Sequence, residues 1–123
     1  PWQHVLEPLS GYLLLAEKLF DEGQSFSGAW NFGPSEKDAR SVRWIVNHLI
    51  NAIPQASFEI DTAQHPHEAY YLKLDSSKST MQLDWQAKWS LDTALDKVIE
   101  WNEEWQNNKN IKECCINQIS SYI

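Results

Sequence analysis

Apolar residues recur along this chain mostly at the spacing of helices. Leu9, Leu13, Ala16 and Phe20 line one face of a segment from about residue 7 to 21. Pro8 suits the first turn of that helix and Gly23 its end. Val42, Ile45, Val46, Leu49 and Ile53 make a second stripe over about 39–52, which Asp38 is placed to cap. A third helix is expected from the N-cap Ser90 to about residue 107. Leu91, Leu95, Val98, Trp101 or Asn102, and Trp105 form its buried side, so both tryptophans are expected in the core. A fourth helix follows Asn110, with Glu113 at capping-box spacing and Ile111, Cys115, Ile119 and Tyr122 as its apolar residues.

Short strand candidates lie between these helices. Ala29-Trp30-Asn31-Phe32 runs into the turn signal Gly33-Pro34, and Ser57-Phe58-Glu59-Ile60 alternates. Tyr70-Tyr71-Leu72-Lys73-Leu74 is a third candidate, and residues 77–81 suit a single helical turn. The fold class is therefore α+β, mostly helical with short strands. No repeat or linker divides residues 1–123, so one unit is expected.

Composition narrows the function classes. Hydrophobic residues make up 42% and charged residues 22% of the 123, the balance of a folded protein. The net charge of −7 repels phosphate backbones and argues against nucleic-acid binding. The longest apolar run, residues 12–16, is too short to span a bilayer. Cys114 and Cys115 are adjacent and poorly placed to bridge each other, which suits a reduced, cytoplasmic protein. The chain opens Pro1-Trp2-Gln3-His4-Val5 without methionine; methionine removal and a boundary within a longer protein both fit.

The usual chemistry of a redox enzyme is not visible. Gly11, Gly23, Gly28 and Gly33 lack the spacing of a dinucleotide-binding turn, and no Tyr is followed four residues later by Lys. One polar cluster remains, His65-Pro66-His67-Glu68. It fits a solvated loop, a substrate contact or a metal site, although no third metal ligand is evident. His4 and His48 are lone histidines that suit structural roles, and the Cys pair suits a buried helix face.

Several segments resemble nucleotide-sugar 4,6-dehydratases of the extended short-chain dehydrogenase family, most closely the branch acting on CDP-glucose. Pro1-Trp2-Gln3-His4-Val5-Leu6-Glu7-Pro8-Leu9 resembles the stretch after a nucleotide-binding Arg. Ala29-Trp30-Asn31-Phe32-Gly33-Pro34 is similar to the next strand and turn. His65-Pro66-His67-Glu68-Ala69 and the following Asp75-x-Ser77-Lys78 resemble the late substrate loop and short helix. Leu83-Asp84-Trp85 with Trp89-Ser90-Leu91 is similar to the closing Leu-Gly-Trp-x-Pro-x-x-x-Leu motif, with Asp84 for Gly and Ala87 for Pro.

The resemblance implies the C-terminal, substrate-binding lobe of such an enzyme, with the Rossmann domain and the Tyr-Lys pair outside this chain. It implies a nucleotide sugar as ligand and NAD as cofactor of the parent enzyme, with none expected in this chain alone. His65, Glu68, Asn31 and His4 are the implied substrate-binding residues. Where relatives place Arg for the pyrophosphate, His65 offers a single donor, while Glu68 suits a hydroxyl or a neighbouring Arg. A lobe cut from its partner domain would expose apolar surface and self-associate. Another nucleotide-sugar epimerase or dehydratase, and a free-standing interaction module, are the alternative readings.

Overall fold

The computed structural model describes residues 2–61 and 73–123. Among them are five α-helices: α1 (Leu6–Glu22), α2 (Val42–Ala52), α3 (Ser77–Leu83), α4 (Leu91–Gln106) and α5 (Ile111–Tyr122). Single 3-10 turns occupy Gly23–Phe26 and Glu36–Asp38. The cap residues explain most boundaries. Ser41, Ser90 and Asn110 each accept from the backbone N–H three residues on, at Trp44, Thr93 and Glu113. Gly23 ends α1 with φ 63°, and α3 ends at Asp84 in the left-handed region, φ 53°. The family motif has Gly where Asp84 stands, so the unusual conformation was legible in the sequence.

The described residues are mostly helical, as expected, but none of them belongs to a β-strand. The segment 29–33 is extended, but side chains satisfy its backbone in place of a ladder. Lys78 Nζ donates to Ala29 O (3.0 Å), Ser79 Oγ to Asn31 O, and Gln3 Nε2 to Phe32 O (2.8 Å). Gly33 N donates to Ser76 Oγ (2.8 Å). Alternation along the chain reports burial on alternate sides, and it is silent on whether the bonding partner is a strand. Residues 57–60 are exposed and form no ladder among the described residues. The third strand candidate lies largely outside the described residues; Lys73 and Leu74, its described end, are irregular.

The apolar stripes also turn out differently. On α1, Leu13 is 73% and Phe20 90% exposed, while Glu7 and Gly11 are buried. The inner face is disguised because it carries a carboxylate and a residue without a side chain. Gly11 is required there: a Cβ would lie 2.2 Å from Cδ1 of Phe32. On α4 the buried set is Leu91, Ala94, Leu95 and Ile99. Trp101 and Trp105 stack on each other, ring centroids 6.3 Å apart, on the outer side, and Trp105 is 58% exposed. The expected burial of both is thereby corrected. A helix stripe two residues wide allows two faces, and the large rings fell on the wetter one. On α5 the buried residues are Cys114, Gln118 and Tyr122, and Ile119 is half-exposed.

Two apolar clusters hold the helices. Phe32, Leu83 and Trp85 join α1 and α3 through the extended segment, with Phe32 edge-on to Trp85 at 5.0 Å. Ile45, Leu91 and Leu95 join α2 to α4, backed by Trp44 and Leu49. At the helix surface between them His48 Nε2 meets Asp96 Oδ1 at 2.9 Å. Between α4 and α5, Gln118 Nε2 donates to Lys97 O (2.9 Å).

A buried polar cluster connects α1, α5 and the approach to α4. Glu7 is 0% exposed. Its Oε2 accepts from Lys88 N (2.9 Å) and Tyr122 OH (2.7 Å), and its Oε1 from Trp89 N (2.8 Å). Asp38 does not cap α2 as expected. Its Oδ1 accepts from Leu91 N (3.1 Å), so it serves the first turn of α4 instead. The reason is that Ala39 and Ser41 are extended, which sets the start of α2 beyond its reach.

Two tests follow from this packing. Trp105→Ala is expected to cost about 1 kcal/mol or less, since an exposed ring loses mainly its stacking partner. Leu91→Ala is expected to cost about 2–5 kcal/mol. Equal losses in urea denaturation would contradict the assignment of faces. Burial pushes the Tyr122 phenol from 10.0 up to about 12, with Glu7 adding to the rise. The protonated form is favoured in the folded chain, so its contribution is complete below pH 10 and disappears as pH climbs through 12. Stability of Tyr122→Phe should therefore fall less steeply between these pH values than that of the parent chain; identical slopes would refute the burial.

Candidate functional site

A groove of about 880 Å³ opens between three stretches of chain, within the size range of small-molecule sites. Residues 33–38 form one wall, 73–77 with Thr80 and Met81 a second, and 85–90 a third. The first two walls approach closely because residue 33 is glycine; a Cβ there would lie 2.8 Å from the Leu74 Cβ. Lys73 Nζ reaches Glu36 Oε1 at 3.0 Å and links them. Asp75 begins the third helix's turn: its Oδ1 accepts from Ser77 N (2.9 Å). Hydrogen bonds from the Ser77 side chain and backbone hold its carboxyl below the usual range.

The third wall has no regular secondary structure, so its amides depend on side chains. Thr80 Oγ1 donates to Trp85 O (3.1 Å), and Trp85 N to Ser79 O (3.2 Å). Lys88 N and Trp89 N are taken by Glu7, and Leu91 N by Asp38. The Lys88 ammonium donates to the carbonyls of Tyr122 (3.1 Å) and Ile123 (3.3 Å) at the end of α5. The groove is lined by Lys37, Lys73 and Lys88 and equally by Glu36, Asp38 and Asp75, with hydroxyls from Ser35, Ser77 and Thr80 and the buried indole of Trp85. Side chains of these types can donate to and accept from anions and hydroxyls. Among the described residues no three His, Cys, Asp or Glu converge as metal ligands.

Of the four site residues anticipated from sequence, Asn31 and His4 are described, and neither lines the groove. His65 and Glu68 lie outside the described residues. Lys73, the first described residue after that stretch, lines the groove. Asn31 is exposed and donates through Nδ2 to Asp75 O (3.1 Å), which ties the extended segment to the second wall. His4 is buried, and its Nδ1 accepts from Leu6 N (3.3 Å). Burial lowers its pKa, with Glu7 opposing. It lines a different, mostly apolar pocket of about 360 Å³ between the start of α1 and the outer sides of α4 and α5. The structure therefore brings neither His4 nor Asn31 into the groove. Glu7, Lys88 and Tyr122 were not singled out from sequence. Their partners lie 81, 34 and 115 positions away, and no local pattern encodes such pairings. Trp85 was reached only through the closing motif.

No helix among the described residues is long and apolar enough to cross a membrane. No protein-family model matches the chain. A curated protein does: the CDP-glucose 4,6-dehydratase of Salmonella typhimurium is 45% identical over 124 residues, covering all of this chain and 34% of that enzyme. The chain spans about a third of the length of the curated relative it matches. Over its full length, then, this chain is a relative of part of a CDP-glucose 4,6-dehydratase.

Proposed function

We propose that the chain is the nucleotide-sugar-binding, C-terminal lobe of a CDP-glucose 4,6-dehydratase, and that the groove receives the nucleotide sugar. The observation that carries this is the 45% identity over the entire chain. The groove's size and its mixed lining of lysines, carboxylates and hydroxyls suit a polar ligand of nucleotide-sugar size. In this reading Lys37 and Lys73 lie on the diphosphate side of the groove, while the Lys88 ammonium holds the third wall to the end of α5. His65 adds one hydrogen bond to it, and Glu68 accepts from a ribose or sugar hydroxyl. NAD, which the rest of the enzyme would hold, would supply the hydride chemistry of such a dehydration. This chain's own task is to bind and orient, so it does not turn over CDP-glucose alone.

The outer face of α1 fits the same reading. Leu9, Leu13 and Phe20 are exposed side by side, which suits packing against the cofactor-binding half in a cytoplasmic enzyme. Taken alone, the lobe would self-associate through that face.

In the complete enzyme, His65→Ala is expected to raise the KM for CDP-glucose roughly tenfold, the effect of losing one charge-assisted hydrogen bond. The KM for NAD should not change. Wild-type values for both constants would remove His65 from the site.

A further inference from the structure

The wall at residues 85–90 is held from behind by a helix that does not line the groove. One carboxylate takes two successive amides of that wall: Glu7 Oε2 accepts from Lys88 N and Oε1 from Trp89 N. Two acceptors fixed on one group orient two adjacent peptide planes together, which a single hydrogen bond cannot do. Tyr122 of α5 then donates to Glu7 Oε2 at 2.7 Å. The same hydroxyl lies 3.0 Å from Ser10 Oγ, which accepts from Trp85 Nε1 at 2.9 Å. The Tyr122 ring packs edge-on against Trp89, centroids 5.0 Å apart, and its carbonyl accepts from Lys88 Nζ. Trp85, Lys88 and Trp89 are thus all gripped by one cluster, whose α5 member is Tyr122.

We propose that Glu7 and Tyr122 are positioning residues for the groove: α5 sets the shape of the 85–90 wall, and through it the affinity for the nucleotide sugar. This rests on the reading of the groove given above. A fully buried carboxylate is costly to desolvate, and it is tolerated because it accepts from two wall amides and the Tyr122 hydroxyl, donors that an apolar residue would leave unsatisfied. The same bonds orient a stretch that has no helix or strand to orient it.

The test compares Tyr122→Phe with Ile99→Val in the complete enzyme. Ile99 is buried on α4 and does not line the groove, so its trimming loosens the lobe without touching the wall. Hydrogen exchange in peptides covering 85–90 should accelerate at least tenfold in Tyr122→Phe. The KM for CDP-glucose should rise several-fold, with kcat and the KM for NAD unchanged. Ile99→Val should leave that KM at the wild-type value. Unchanged exchange in Tyr122→Phe would overturn the proposal, as would an equal rise in KM for Ile99→Val. If Tyr122→Phe does not accumulate folded, Ser10→Ala interrupts the same cluster and is judged by the same criteria. The groove reading is checked separately in the unsubstituted enzyme. There, CDP-glucose should slow exchange at 33–38 and 85–90; if it does not, the groove fails as the site, and exchange in Tyr122→Phe still decides the positioning.

Discussion

Glu7 has no solvent contact, and its two oxygens serve donors from two distant parts of the chain. A carboxylate in that position is stable only because each oxygen has partners; stripped of them it would have to leave the interior or lose its charge. The partners are the amides of Lys88 and Trp89 and the hydroxyl of Tyr122. Three elements therefore meet at a fixed distance and angle: the first turn of α1, the irregular lead into α4, and the last turn of α5. The apolar clusters can then form on either side, Phe32 with Trp85 below and Ile45 with Leu91 and Leu95 beyond. Asp38 repeats the device on a smaller scale at Leu91 N. In this lobe buried acids do the work that a sheet edge does elsewhere, namely satisfying amides that no regular structure satisfies.

The helices were legible because their ends carry local chemistry. Ser90 and Asn110 cap where hydroxyl and amide side chains were read as caps, and Gly23 closes α1 with a positive φ. Asp84 shows how a departure from a motif can be informative, since it adopts the left-handed conformation that glycine would favour. The faces of the helices were less legible. Periodicity weighs hydrophobicity, and the inner face of α1 presents Glu7 and Gly11. The one is buried for hydrogen bonding, the other for the ring of Phe32. Strand patterns misled for a related reason. The segment 29–33 is extended and half-buried, but its bonding partners are the side chains of Gln3, Ser76, Lys78 and Ser79.

The site divides the same way. The groove is built where the family motifs meet, around Gly33, Asp75, Ser77 and Trp85, and resemblance pointed to those segments. Glu7 lies in the opening motif and Tyr122 in the stripe of α5, but their pairing with each other and with the third wall is recognised only by their contacts. His4, one of the implied substrate-binding residues, is buried beside a separate pocket, and its Nδ1 accepts from Leu6 N. The similarity to a dehydratase covers the chain as a whole and does not distinguish these roles.

Hydrogen-bond acceptance by Glu7 holds the three elements together, and urea denaturation of Glu7→Gln tests this most directly. Glutamine keeps the volume but replaces one acceptor with an NH2 that faces donors. The account predicts a loss of about 3 kcal/mol, from a buried donor left without its acceptor next to a weakened second bond. A loss below about 0.5 kcal/mol would mean that shape alone holds the three elements together, and would contradict it.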